Sequence, residues 1–218
     1  MEKRVSILLV CLAISALAIS TTSKANLLVD PGAEGQVVGP GGIGGWSLFN
    51  GMAFSTNFAH SGSWSLNGNG PGGFTVPGAF QTLPASGGQV YTMTAFGLTP
   101  ATAANVPNSW GALQITYFAG TNGTGANLGT VETSPGNAKV GNHVDSTTPL
   151  NTWVPLSVTA TAPAGAQSMQ VFDLVLDQTP MNVYFDDQDL ELVPEPSTVA
   201  MALTGLLGLV AFAKKRRV

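Results

Sequence analysis

Residues able to do chemistry are scarce in this chain. Two histidines, His60 and His143, and one cysteine, Cys11, are its whole supply of imidazole and thiol. That leaves too little to build a zinc centre or a thiol nucleophile with its base. His143 and Asp145 form a His-x-Asp pair in a polar stretch, and His60 sits in a Ser/Gly-rich turn that suits a structural role. Asp186, Asp187 and Asp189 crowd one short segment. Carboxylates that hydrolyse a glycoside must face each other across a cleft at about 5–10 Å, and residues of one strand do not. Gly39 to Gly44 spells GxGxxG, but no helical pattern follows it, so it reads as a glycine-rich loop. What remains is binding chemistry. Trp46, Trp64, Trp110 and Trp153 offer flat apolar platforms, helped by Tyr117 and Tyr184. Such rings stack on the C–H faces of sugars when amides stand nearby for the hydroxyls. Trp110 follows the polar Pro107-Asn108-Ser109 and opens an alternating segment that also carries Gln114.

The elements that must hold these side chains are short strands. Between Asn26 and Val193 no apolar run keeps a helical period for more than about two turns. Instead, alternating segments are bounded by Gly, Pro, Asn and Ser, the pattern of a sandwich or barrel. The expected strands are Asn26–Val29, Trp46–Phe49, Ala53–Thr56, Ser63–Asn67, Ala79–Thr82, Gln89–Leu98, Gly111–Ala119, Thr152–Ala160, Gln167–Leu176 and Asn182–Leu192. Leu113, Ile115 and Tyr117 alternate with Gln114 and Thr116, which puts the first set on one face. Val154, Leu156, Val158 and Ala160 do the same. Thr121–Gly129 and Ser134–Leu150 read as polar loops.

Composition agrees. In 218 residues there are 27 Gly and 14 Pro, a load that excludes a helical bundle. The formal net charge of −4 hides a sharper imbalance. From Asn26 to Val193 the only Lys or Arg is Lys139, against ten Asp and Glu. A nucleic-acid partner, which needs a basic face, is excluded.

The remaining bases mark the two ends. Residues 1–25 have the three parts of a secretory signal: Lys3 and Arg4, the apolar run Ile7 to Ile19, and Ser23-Lys24-Ala25 before cleavage. Cys11 lies inside that run and leaves with it, so the exported domain, 26–193, has no disulfide. The other end, 194–218, reads Pro194-Glu195-Pro196, an apolar stretch from Val199 to Ala213, then Lys214-Lys215-Arg216-Arg217. Those 15 apolar residues make about 22 Å of helix at about 1.5 Å per residue, short against a hydrocarbon core of about 30 Å. The bases after it should stay cytoplasmic, which leaves the domain outside the inner membrane. The fold expected overall is an all-β antiparallel sandwich with an N-terminal signal helix and a C-terminal transmembrane helix.

Two resemblances extend this reading. The tail resembles the PEP-CTERM sorting signal of Gram-negative bacteria, on Pro194, Glu195 and Pro196, the short apolar stretch and the basic end. That implies handling by an exosortase, a membrane protease, with release or re-anchoring at the cell surface and association with exopolysaccharide or biofilm matrix. The middle resembles the carbohydrate-binding-module jelly rolls of the galactose-binding-like group. Four blocks carry the likeness: Asn26 to Glu34, His60 to Leu66, Thr152 to Val171 and Val183 to Leu192. One departure stands out, Gln188 in place of the usual aliphatic residue, which implies a twisted or bulged strand. The resemblance implies a structural calcium held by Glu34, by backbone oxygens near Ser61 and Ser63, and by Asp186 or Asp187. It also implies core positions for Trp46 and Trp153, leaving Trp64 and Trp110 as ligand contacts with Gln81 and Gln114 as polar partners. The function expected is non-covalent binding of an extracellular polysaccharide. The alternatives are a structural matrix protein with no defined sugar and, third, a glycoside-active enzyme.

Overall fold

The computed structural model describes residues 25–102, 107–135 and 141–194. The signal segment, and the sorting tail beyond Pro194 with its expected transmembrane helix, lie outside the described residues. Among the described residues no helix is long and apolar enough to cross a membrane.

Eleven strands form two antiparallel sheets stacked as a sandwich. The front sheet takes the order β1 (Ser47–Phe49), β4 (Gly78–Pro84), β10 (Ser168–Asp177), β6 (Ser109–Phe118), β7 (Asn127–Glu132). The back sheet runs β2 (Met52–Ser55), β3 (Ser65–Gly70), β11 (Met181–Val193), β5 (Val90–Leu98), β9 (Val154–Thr161), β8 (Gly141–Asn142). The alternation read from the sequence is the packing pattern. Leu113, Ile115 and Tyr117 of β6 and Val171 and Val175 of β10 enter the core from the front. Met93, Leu156, Val158, Phe185 and Leu190 meet them from the back. Trp46 is fully buried, and its indole N–H donates to the Asp30 carbonyl at 2.9 Å.

Two expectations need correction. Asn26–Val29 is not a strand. Leu27 donates one backbone bond to Leu190, and Val29 is taken up by the Gln81 side chain, so no ladder forms before the chain bends at Asp30. Conversely, β7 starts inside the expected loop Thr121–Gly129 and runs on past it, and β8 lies within the expected loop Ser134–Leu150. Both are edge strands with few apolar residues, so their pairing has little signature in the sequence. The bulge implied by Gln188 is present: the register of β11 on β5 slips between Asp186 and Asp189.

Candidate functional site

Because side chains alternate, each inward residue of the front sheet leaves a neighbour on its outer face. The registers align these into transverse rows. One row runs Ser47, Phe80, Phe172, Gln114, Glu132, a residue from each of the five strands. With strands about 4.8 Å apart, it spans roughly 19 Å, more than one sugar unit. The next row on one side is polar: Thr82, Gln170, Thr116, Thr130. On the other side Leu174 lies between Gly78 and Ala112, followed by Leu176 beside Trp110. Most aromatic rings therefore gather toward one end of the face and amides and hydroxyls toward the other, with Phe118 lying past the polar row beside Ser168. Phe49, Phe80 and Phe172 form a continuous strip, with centroids 6.1 and 5.2 Å apart.

The polar half is held in place. Gln170 donates to Thr82 Oγ1 at 3.2 Å, and Thr82 donates to the Gly41 carbonyl at 2.6 Å. Gln114 donates to Thr116 Oγ1 at 3.1 Å, whose hydroxyl is 3.1 Å from that of Thr130. At the far end the Trp110 indole N–H is shielded from solvent and reaches no acceptor at hydrogen-bonding geometry. Burial raises the Glu132 carboxyl above its ordinary value, and the nearby Trp110 indole pulls against that rise.

The loop 71–77 closes the aromatic end. Asp177, fully buried at the end of β10, accepts from Gly72 N, Thr75 Oγ1 and Val76 N at 2.7, 2.7 and 2.8 Å. Asn50 adds a bond to the Thr75 carbonyl at 2.7 Å. The scaffold holds Phe74 and Val76 at positive φ, an unfavourable conformation for such side chains. Phe74, whose N–H bonds the Asp177 carbonyl, is left 53% exposed. The loop thus holds an exposed ring in a defined place.

A second constellation lies beside the back sheet. Glu34 Oε1 accepts from Ser63 N and Trp64 N, both at 2.8 Å. Asp186 Oδ2 accepts from His60 N at 2.7 Å and Ser61 N at 3.2 Å. Asp187 takes the Ser61 hydroxyl at 2.6 Å, and its other oxygen lies 2.6 Å from His60 Nδ1. His60 stacks on Phe96 at 3.7 Å and meets the edge of Trp153 at 5.6 Å. Gly62 must be glycine, since its φ is +61° and a Cβ there would strike the Glu34 carboxylate. Around Gly32 the three acids converge: a Cβ would come within 3.8–3.9 Å of Glu34 Cγ, Asp187 Oδ1 and Asp186 Oδ1. Such an oxygen-only set suits a hard cation such as calcium. Here the turn already points N–H and O–H donors at these oxygens. Among the described residues no three carboxylate or histidine groups stand in a metal-holding arrangement.

The structure thus brings together Glu34, Ser61, Ser63, Asp186 and Asp187. Of the four expected ligand contacts it places only Trp110 and Gln114 on one face, four residues apart on β6. Trp64 packs against the core. Gln81 points inward, buried, with its amide exchanging bonds of 3.0 and 2.7 Å with Val29. Pro194 ends the described chain, while Glu195 and Pro196 lie outside it. Sequence reasoning missed Phe80, Phe172 and Phe74. The signal for Phe172 was present: in Val171–Leu176 both alternating sets are apolar apart from Asp173, so both faces of the strand meet something other than water.

Residues 192–217 match the family model described as the PEP-CTERM protein-sorting motif. No curated protein matches the chain. Among solved structures it is similar to the N-terminal CBM22-1–CBM22-2 tandem domain of Paenibacillus barcinonensis Xyn10C. The identity is 16% and the TM-score 0.53, over 81% of this chain and 49% of that one. It is also similar to the enzymatically active domain of tailspike protein 4 of bacteriophage CBA120, with 10% identity and TM-score 0.51, over 77% of this chain and 21% of that one. A third is TmCBM61, in complex with beta-1,4-galactotriose, with 14% identity and TM-score 0.48, over 78% of this chain and 99% of that one. The chain spans less than half the length of the first two. It carries a PEP-CTERM protein-sorting motif at 192–217, and its antiparallel sandwich is similar in fold to carbohydrate-binding-module jelly rolls.

Proposed function

We propose that this is an exported, surface-sorted protein whose front sheet binds an extracellular polysaccharide without reacting with it. The observation that carries the reading is the Ser47-Phe80-Phe172-Gln114-Glu132 row with Trp110 beside it. It combines ring platforms and pre-positioned amides on a rigid sheet, the composition that sugar recognition needs. The sandwich's likeness to carbohydrate-binding modules supports the same reading at the level of fold. The sorting motif supports handling by an exosortase-type membrane protease and a transient hold on the inner membrane before release to the surface or a biofilm matrix. The test is retention of the full chain on a panel of insoluble and soluble polysaccharides. Saturable binding to one class supports the reading. A folded protein that binds none returns it to the rival, a structural matrix protein.

Calcium is a separate part of the proposal. The convergence of Glu34, Asp186 and Asp187 on the 60–63 turn supports it, as does the lack of Lys or Arg among the described residues to offset those charges. The chain's residues would hold the ion between the segment after Asn26 and β11, where it would lock the turn in place.

A further inference from the structure

Beyond β7 the edge of the front sheet is completed by another segment. Gly111 of β6 and Val144 exchange both backbone hydrogen bonds, at 2.8 and 2.9 Å. Val144 is fully buried and packs toward Gly97 in the core. Side-chain alternation about this antiparallel bridge turns its neighbours His143 and Asp145 toward the outer face, and extending the register by one residue puts them at the level of Ala112 and Trp110. Their side chains meet, His143 Nε2 lying 3.1 Å from Asp145 Oδ2. Glu132 stands opposite Gln114 on the same border. The sugar-facing surface is thus rimmed on one long side by Glu132, His143 and Asp145, with the Trp110 indole inside the rim. No Lys or Arg occurs among the described residues to pair with these acids or to receive an acidic sugar.

An indole flanked by carboxylates is the chemistry that recognises an ammonium: the ring quadrupole and the charges both attract it. A uronate polymer would meet repulsion from these acids, with no compensating Lys or Arg among the described residues. We infer that the polysaccharide taken by this face carries free amines, a glucosamine-type chain wholly or partly unacetylated, seated with an ammonium between Trp110, Glu132 and Asp145. The inference rests on the sheet-face reading above and names its ligand class.

The test titrates the full chain near neutral pH with three oligomers of equal length: N-acetylglucosamine, glucosamine and galacturonic acid. The glucosamine oligomer is expected to bind about five- to tenfold more tightly than its acetylated counterpart, and the galacturonate not at all. Glu132→Gln and Asp145→Asn should each erode the ratio between the amine and acetylated oligomers, in proteins whose circular dichroism shows them folded. Glu191→Gln, on the back sheet, should leave it unchanged. Equal affinity for the amine and acetylated oligomers overturns the inference while the sheet-face reading stands. A preference weakened as much by Glu191→Gln as by Glu132→Gln also overturns it, as diffuse attraction of a polycation. Binding of no oligomer or other glycan at all overturns both.

Discussion

Gln188 donates its side-chain amide to Asp173 Oδ2 at 2.8 Å across the sandwich interior. Both residues are buried, and the partner atoms Asp173 Oδ1 and Gln188 Oε1 are both acceptors without a partner. The bulge in β11 turns Gln188 inward, and without it an ionisable group would stand unmet among apolar side chains. Two orphan acceptors beside one hydrogen bond need one more donor. A proton on Asp173 supplies it. Burial raises the Asp173 carboxyl to about 7, with the Gln188 bond working against the rise and the charge of Asp186 adding to it.

A pH dependence with an uncommon sign follows. The unfolded chain ionises Asp173 near its ordinary value of about 4, whereas the folded chain keeps it neutral to about 7. Between those values the unfolded state releases a proton that the folded state retains. Stability from this group is therefore full below about pH 4 and falls as pH rises to about 7, by on the order of 4 kcal/mol. Asp186 and Glu132, also raised by burial, add slope of the same sign. Denaturant unfolding at mildly acidic and neutral pH measures it. Asp173→Asn should flatten most of the dependence and raise stability at neutral pH. A wild-type protein equally stable across that range would contradict the assignment.

Asp177 should matter more to stability than its place at a strand end suggests. Asp177→Ala leaves Gly72 N and Val76 N without acceptors beneath a loop already held at unfavourable φ. The expected cost is about 3 kcal/mol, read as a lower melting temperature. Asp177→Asn, which keeps the shape and half the acceptors, should cost less. Two variants as stable as wild type would show that the loop is held by something else.

If calcium occupies the Glu34–Asp186–Asp187 cluster, the ion stabilises only the folded state. Saturation at about a hundred times the dissociation constant adds roughly 2.7 kcal/mol. The melting temperature should rise by several degrees over that in chelator, and Glu34→Gln should remove the rise. Identical melting curves with calcium and with chelator would leave the cluster as a hydrogen-bonded clasp.

Phe74 should contribute to affinity without contributing to the fold. Phe74→Ala removes an exposed ring, so unfolding should change little, while binding of the best polysaccharide should weaken about tenfold. A variant that binds as well as wild type would place the ligand elsewhere on the sheet.

The sequence made some of this legible through periodicity. Leu113, Ile115 and Tyr117 declared the inner face of β6, and by the same alternation put Trp110 and Gln114 outside. Gln188, flagged as a departure from a familiar pattern, became the bulge and the partner of Asp173. The calcium-type residues Glu34, Ser61, Asp186 and Asp187 were named together and lie together. What stayed hidden depends on contacts that no local pattern records. Gln81 looked like a ligand amide, but a neighbouring backbone, that of Val29, consumes it. Phe80 and Phe172 went unmarked, because where both alternating sets of a strand are apolar the period does not say which set faces the core. β7 escaped because an edge strand need bury only Leu128 and Val131 in part, and two apolar residues set no period.

The most direct measurement is binding of the full chain to a polysaccharide panel, repeated with Phe172→Ala and Trp110→Ala. The account predicts saturable binding to one class, weakened about tenfold or more by each substitution, with circular dichroism and melting curves close to wild type. Binding that survives both substitutions in a folded protein would contradict the front-sheet site.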